Sequence, residues 1–145
     1  MAEKYAKRYH VGLGNVGSYQ VSARPFVTSS IQVPVSGHVA SAGNYEVINF
    51  PYVTKFITIK NDGPKTHGAT MRVAFSENGL RDSTNNYFIL SGTESFTADF
   101  KVTRVYLMGH EKLNADMSTT ASVIAGLTGI ESALLSGSWA GHPGV

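Results

Sequence analysis

Residues 69–76 read ATMRVAFS, and they alternate more cleanly than any other stretch of the chain: Met71, Val73 and Phe75 fall on one side of an extended backbone, and Thr70, Arg72 and Ser76 on the other. A period of two is the pattern of a half-buried strand, with the apolar set inward and the polar set outward. Just upstream, VTKFITIK at 53–60 puts Val53, Ile57 and Ile59 on one face and Thr54, Phe56, Thr58 and Lys60 on the other, with Lys55 interrupting the apolar side. Between these runs lies NDGPKTHG, whose Asn61, Asp62, Gly63 and Pro64 are turn formers, so the two strands are expected to make a hairpin with a loop longer than two residues.

Working outward, the same signal recurs. FVTSSIQV at 26–33, bounded by Pro25 and Pro34, suits an edge strand, because proline cannot donate to an inner ladder. YEVINF follows at 45–50. Asn78 and Gly79 turn the chain into the polar excursion LRDSTNN, YFIL spans 87–90, and Ser91 and Gly92 lead into ESFTADFKV, where Phe96, Ala98 and Phe100 alternate. VTRVYLMG at 102–109 is apolar enough for a central strand. MSTTASVIAGL alternates Met117, Thr119, Ala121, Val123 and Ala125, and Gly126 marks a bulge or close-packing point. Eight strands with turns about every ten residues predict an all-β chain: a single antiparallel β-sandwich, jelly-roll-like. Helix is expected only as a short turn from Ile130 to Leu135, ended by Gly137.

A chain of 145 residues makes one domain. We divide it into an N-terminal arm (1–22), a sandwich body (23–128) and a C-terminal arm (129–145). The front arm is basic, aromatic and glycine-rich, and Lys4, Lys7 and Arg8 against Glu3 account for the whole net charge of +2. A body this neutral argues against a broad nucleic-acid footprint. Three basic residues interleaved with Tyr5, Tyr9 and His10 give only a small counterion-release effect, so we read them as covering a neighbouring subunit with their long side chains. Without cysteine there is neither a disulfide nor a thiolate metal site, which suits synthesis in a reducing cytoplasm. No secretory signal is recognised at the N-terminus, and no Asn-X-Ser/Thr acceptor occurs. The rear segment is broken by glycine, serine and Glu131 before it reaches membrane-spanning length, so no membrane partner is expected.

Chemical motifs are weak. Gly12, Gly14 and Gly17 spell G-x-G-x-x-G, but SYQVSARP after them is too short for the helix that a dinucleotide site needs, and the next acid is Glu46. The five histidines, at 10, 38, 67, 110 and 142, have no metal-ligand spacing. Asp62, Glu77 and Asp82 form a conceivable calcium set, yet the ligand-dense D-x-D-x-D-G pattern is missing and they read as solvated turn acids. Glu94 and Asp99 are five apart and fall on opposite faces of a strand, and G-x-S-x-G does not occur. No catalytic residue, cofactor or metal is assigned. Candidate interface anchors are Tyr5, Tyr9, Tyr19, Leu134, Leu135 and Trp139, since aromatic residues, tryptophan above all, are favoured in interface cores. Arg81, Asp82, Asn85, Asn86 and Tyr87 form a candidate sugar-binding loop.

Three stretches taken together, GNVGSYQVSARPFVTSS (14–30), FPYVTKFITIKNDG (50–63) and NYFILSGTESFTADFKVTRVYL (86–107), give the chain its family likeness. It resembles the small β-sandwich structural proteins of double-stranded DNA virus capsids, either decoration (cement) proteins of tailed phages or single jelly-roll proteins at capsid vertices. The resemblance implies a non-enzymatic virion protein, a trimer or penton-like pentamer that grips the major capsid protein and its own copies through extended termini. A carbohydrate- or receptor-binding module of a virion is the alternative.

Overall fold

The computed structural model describes residues 24–34, 45–65, 69–81, 84–110 and 119–133. The front arm, the three glycines at 12, 14 and 17, four of the histidines (10, 38, 67 and 142), Asp82 and the interface candidates Tyr5, Tyr9, Tyr19, Leu134, Leu135 and Trp139 lie outside those residues. Eight strands follow in order: β1 (Arg24–Val33), β2 (Glu46–Asn49), β3 (Tyr52–Asn61), β4 (Met71–Ala74), β5 (Phe88–Leu90), β6 (Ser95–Ala98), β7 (Arg104–Gly109) and β8 (Thr119–Glu131). They form two antiparallel four-stranded sheets, β1-β8-β3-β6 (sheet A) and β2-β7-β4-β5 (sheet B). The all-β sandwich expected from alternation is present.

The pairing is nested: β1 with β8, β2 with β7, β3 with β6 and β4 with β5. Among these strands only the β4–β5 connection stays within one sheet, and the other six cross between sheets. The expected hairpin at NDGPKTHG is therefore corrected, because β3 and β4 lie in different sheets and the chain crosses from one to the other after Asn61. The physical reason is a buried amide. Asn61 Nδ2 donates to the carbonyls of Ala69 (2.7 Å) and Leu90 (3.0 Å), while its Oδ1 accepts from the Gly63 N–H (2.9 Å) and the Thr119 hydroxyl (2.6 Å). All four hydrogen-bonding capacities are used, which ties β3, β4, β5 and β8 at one end of the sandwich. Gly63 and Gly92 are required there: a Cβ on Gly63 would collide with the Thr119 hydroxyl, and one on Gly92 with the Pro64 carbonyl.

Between the sheets, Val33, Ile48, Phe50, Ile57, Ile59, Met71, Val73, Leu90, Val105, Leu107, Ala121, Val123, Ala125 and Leu127 form the main core. Each large aliphatic side chain sheltered this way contributes about 1.5–3 kcal/mol. Aromatic rings close both open sides. Phe26 meets Phe50 edge-on at 5.1 Å beside β1, and Phe88, Phe96, Phe100 and Phe75 run in successive contact beside β5 and β6. β1 is an edge strand as expected, with a register break between Thr28 and Ile31 where Ser30 takes a positive φ of 56°. Such a bulge bends an edge away from further pairing. The interruption at Lys55 has the same kind of cause, since the β3–β8 register slips between Thr54 and Phe56, opposite Gly126 and Leu127.

β8 continues through Glu131, and Ile130 is fully buried. Residues 130 and 131 are thus strand and not the start of a helical turn, and 129–131 extend the strand beyond the body boundary drawn from sequence. Hydrogen bonds secure this end: the Thr128 hydroxyl donates to the Val53 carbonyl (2.7 Å), and Ser132 Oγ donates to the Phe50 carbonyl (2.5 Å).

Candidate functional site

The two outer faces of the sandwich carry the site candidates. On sheet B, register places Arg72 between Ile89 and Met108, and Ala74 beside Tyr106, which in turn pairs with Val47. Arg72 points outward from the sheet, as alternation requires, but not into water: it is only 2% exposed. The cover comes from residues that follow β4, which fold back through a 3-10 turn at Asn78–Leu80. Leu80, Ala74, Tyr106 and Met108 make a second small core, with Tyr45, Val47 and Tyr87 packed against it.

Arg72 organises that cover. Its Nη1 donates to the Leu80 carbonyl (2.8 Å), its Nε donates to His110 Nδ1 (3.0 Å), and its guanidinium carbon sits 4.3 Å from the centre of the Tyr87 ring. His110 accepts at Nδ1, so in this arrangement its ring proton is assigned to Nε2. Tyr87 and His110 also touch, with ring centres 6.0 Å apart. A desolvated cation over an aromatic face is worth about 2 kcal/mol. These contacts pin the loop to the sheet at both of its ends, Leu80 near the start and Tyr87 at the finish.

The sugar-loop residues divide over this construction. Arg81 is exposed and pairs with Glu77 at 3.6 Å. Asn85 (φ 51°) and Asn86 are exposed at the tip, held by turns in which the Thr84 and Asn85 N–H groups donate to the Arg81 carbonyl. The Tyr87 ring is committed inward, to Arg72 and His110. Burial, and then the Glu77 carboxylate to which it is hydrogen-bonded, hold the Tyr45 hydroxyl above the usual phenol range. Asp62 is occupied elsewhere, by Lys60 at 3.3 Å and by the Ser122 hydroxyl. Asp62 and Glu77 are thus engaged by separate partners, and no cluster of three potential metal ligands occurs among the described residues. The Glu94 carboxylate caps its own turn by accepting the Ser91 N–H (2.9 Å).

The Arg72 clamp was missed by sequence reasoning. Its one signal was an arginine in the middle of an apolar strand, ordinarily read as solvent-facing.

Sheet A's outer face is different in kind. The row Val27, Ile124, Thr58, Thr97 runs across all four strands. Beside it lie Ser122, Lys60 and Ser95 on one side, and Pro25, Gly126 and Phe56 on the other, with Gln32 opposite Thr120 further along. Val27 and Ile124 face each other on adjacent strands at 66% and 43% exposure. The hydroxyls of Thr58 and Thr97 are 2.9 Å apart, bonded to each other across β3 and β6. Lys60 is ionised and pairs with Asp62, and the two central strands also expose Lys55 at the β3 bulge and Glu131 at the end of β8. Among the described residues no helix is long and apolar enough to cross a membrane. No protein-family model matches the chain, and no curated protein matches it.

Proposed function

We propose that this sandwich is a jelly roll and that the protein is a non-enzymatic virion structural subunit, a capsid decoration or vertex protein that acts through contacts with copies of itself and with the major capsid protein. The nested pairing supports the jelly-roll half: one long hairpin with β4 and β5 at its tip, rolled up, gives the orders β1-β8-β3-β6 and β2-β7-β4-β5. Jelly rolls host many activities, so the role has to come from the surface. The observation that carries it is the central row of sheet A's outer face, where two opposed aliphatics and a bonded pair of threonine hydroxyls carry no charge, the exposed Lys55 and Lys60 lying to either side. Solvated sheet faces ordinarily carry charged side chains, and interface centres are depleted of them.

Solution mass tests this reading. The full chain should run as a trimer or pentamer, and removal of residues 134–145 should leave a folded body that assembles poorly. The cut belongs after Ala133 because Ile130 is part of the core. A monodisperse monomer at tens of micromolar full-length protein would overturn the proposal. The exposed amides of Asn85 and Asn86 favour the second reading, a receptor- or carbohydrate-binding role for the 81–87 loop, and a glycan array decides it.

A further inference from the structure

The outer face of sheet A calls for a particular kind of cover. Its strands lie about 4.8 Å apart and its outward rows run from Pro25 to Gln32, so the face measures roughly 500 Å², short of the roughly 800 Å² each partner buries in a standard interface. A second rigid body resting on this face alone would be held weakly. An extended segment fits within it. Residues 11–23, VGLGNVGSYQVSA, contain no charged side chain but include Val11, Leu13, Val16, Tyr19 and Val21. They join β1 at Arg24, on the border of the same face. Extended, thirteen residues reach about 43 Å, more than twice the width of four strands.

We infer that residues 11–23 of one copy lie across the outer face of sheet A of another, setting their apolar side chains on Val27 and Ile124. The inference rests on the assembly reading above and gives it a surface. A segment without ionisable side chains meets the uncharged central row of the face, Val27, Ile124, Thr58 and Thr97, and the basic residues Lys4, Lys7 and Arg8 are left beyond its edge, free to act on a third molecule.

The chain has no cysteine, so Ile124→Cys in the full-length protein gives a single attachment point for a photo-crosslinker. Assembly from a mixture of ordinary and 15N-labelled chains, followed by mass spectrometry, should yield links from position 124 to peptides within residues 1–23, including mixed-isotope pairs. The same probe at Ile89→Cys, on the outward edge of sheet B, should not link to them. Ile124→Lys should weaken self-association at least tenfold with an unchanged circular dichroism spectrum. Links confined to one isotope, links to other segments, or none in a protein that still assembles would overturn this inference and leave the assembly reading standing. A full-length protein that stays monomeric would overturn both.

Discussion

On sheet B the outward positions hold Val47, Arg72, Ala74, Tyr106 and Met108, and Leu80 and Tyr87 fold back over them. On sheet A the outward positions hold Val27, Thr58, Thr97, Ser122 and Ile124, and the two aliphatics remain exposed. Both faces derive from the same alternating strands. They differ in where their cover originates: sheet B gains a third layer from its own chain, fastened by a buried cation, whereas the central row of sheet A offers aliphatic and hydroxyl side chains, with the lysines at 55 and 60 to either side of it. Arginine on the first face and hydroxyls on the second follow from this. A loop with many carbonyls needs a donor fork to hold it down, and a face that meets another chain is better served by groups that bond to one another until the partner arrives.

The largest effect that would break the comparison is at the clamp. Arg72→Ala leaves the buried Leu80 carbonyl and the part-buried His110 Nδ1 without their Arg72 donor and should cost about 3–5 kcal/mol in chemical denaturation. A loss below about 1 kcal/mol would mean that the loop is held by something else. Leu80→Ala removes the apolar half of the same attachment, and truncation of a fully buried leucine should cost about 2–4 kcal/mol. The two changes share one loop, so their effects should not add, and a double variant measures the coupling.

Arg72 also shows how far the sequence could be read. Alternation in ATMRVAFS correctly put it on the opposite side of the strand from Met71 and Val73, because the two-residue period is a property of the backbone. What lies on that side is not. The cover comes from residues that read as a polar excursion, and Leu80 alone in LRDSTNN hints that the segment turns inward. The hairpin expected at NDGPKTHG failed for a related reason. Asn61, Asp62, Gly63 and Pro64 bend a chain equally well within a sheet or between sheets, and what selects the crossing is a set of partners at 69, 90 and 119 that no local pattern reveals. β8, in contrast, was legible almost to its end, since Thr119, Ala121, Val123 and Ala125 pack inward as their spacing required. Of the site candidates, Arg81, Asn85, Asn86 and Tyr87 do share one loop, yet Tyr87 works from beneath it.

The mirror experiment belongs to sheet A. Ile124→Ala and Val27→Ala touch side chains that shelter little of the subunit's own core, so the stability of dilute, dissociated protein should change by no more than about 0.5 kcal/mol. A loss on the scale of Leu80→Ala would show that this face is sheltered within a single subunit, and the contrast between the two sheets would collapse.

The smallest effect sharpens the account of the covered face. Tyr45 packs on that small core with its ring 5.6 Å from Tyr106, and burial together with the Glu77 carboxylate disfavours its phenolate. Because its folded-state pKa is raised, the stabilisation from the neutral phenol is fully present below about pH 10, the unfolded value, and is lost as pH climbs through the higher folded value. Tyr45→Phe cannot ionise. The difference in unfolding free energy between the parent and Tyr45→Phe should therefore stay constant from pH 7 to pH 9 and shrink above pH 10, where the parent alone carries the cost of a partly desolvated phenolate beside the Glu77 carboxylate or of keeping its proton. Denaturant titrations of both proteins at each pH test this, and subtracting one curve from the other removes the tyrosines and lysines they share. A difference that stays flat to pH 11 would mean that Tyr45 is in free contact with water, and that the cover over sheet B stops short of β2.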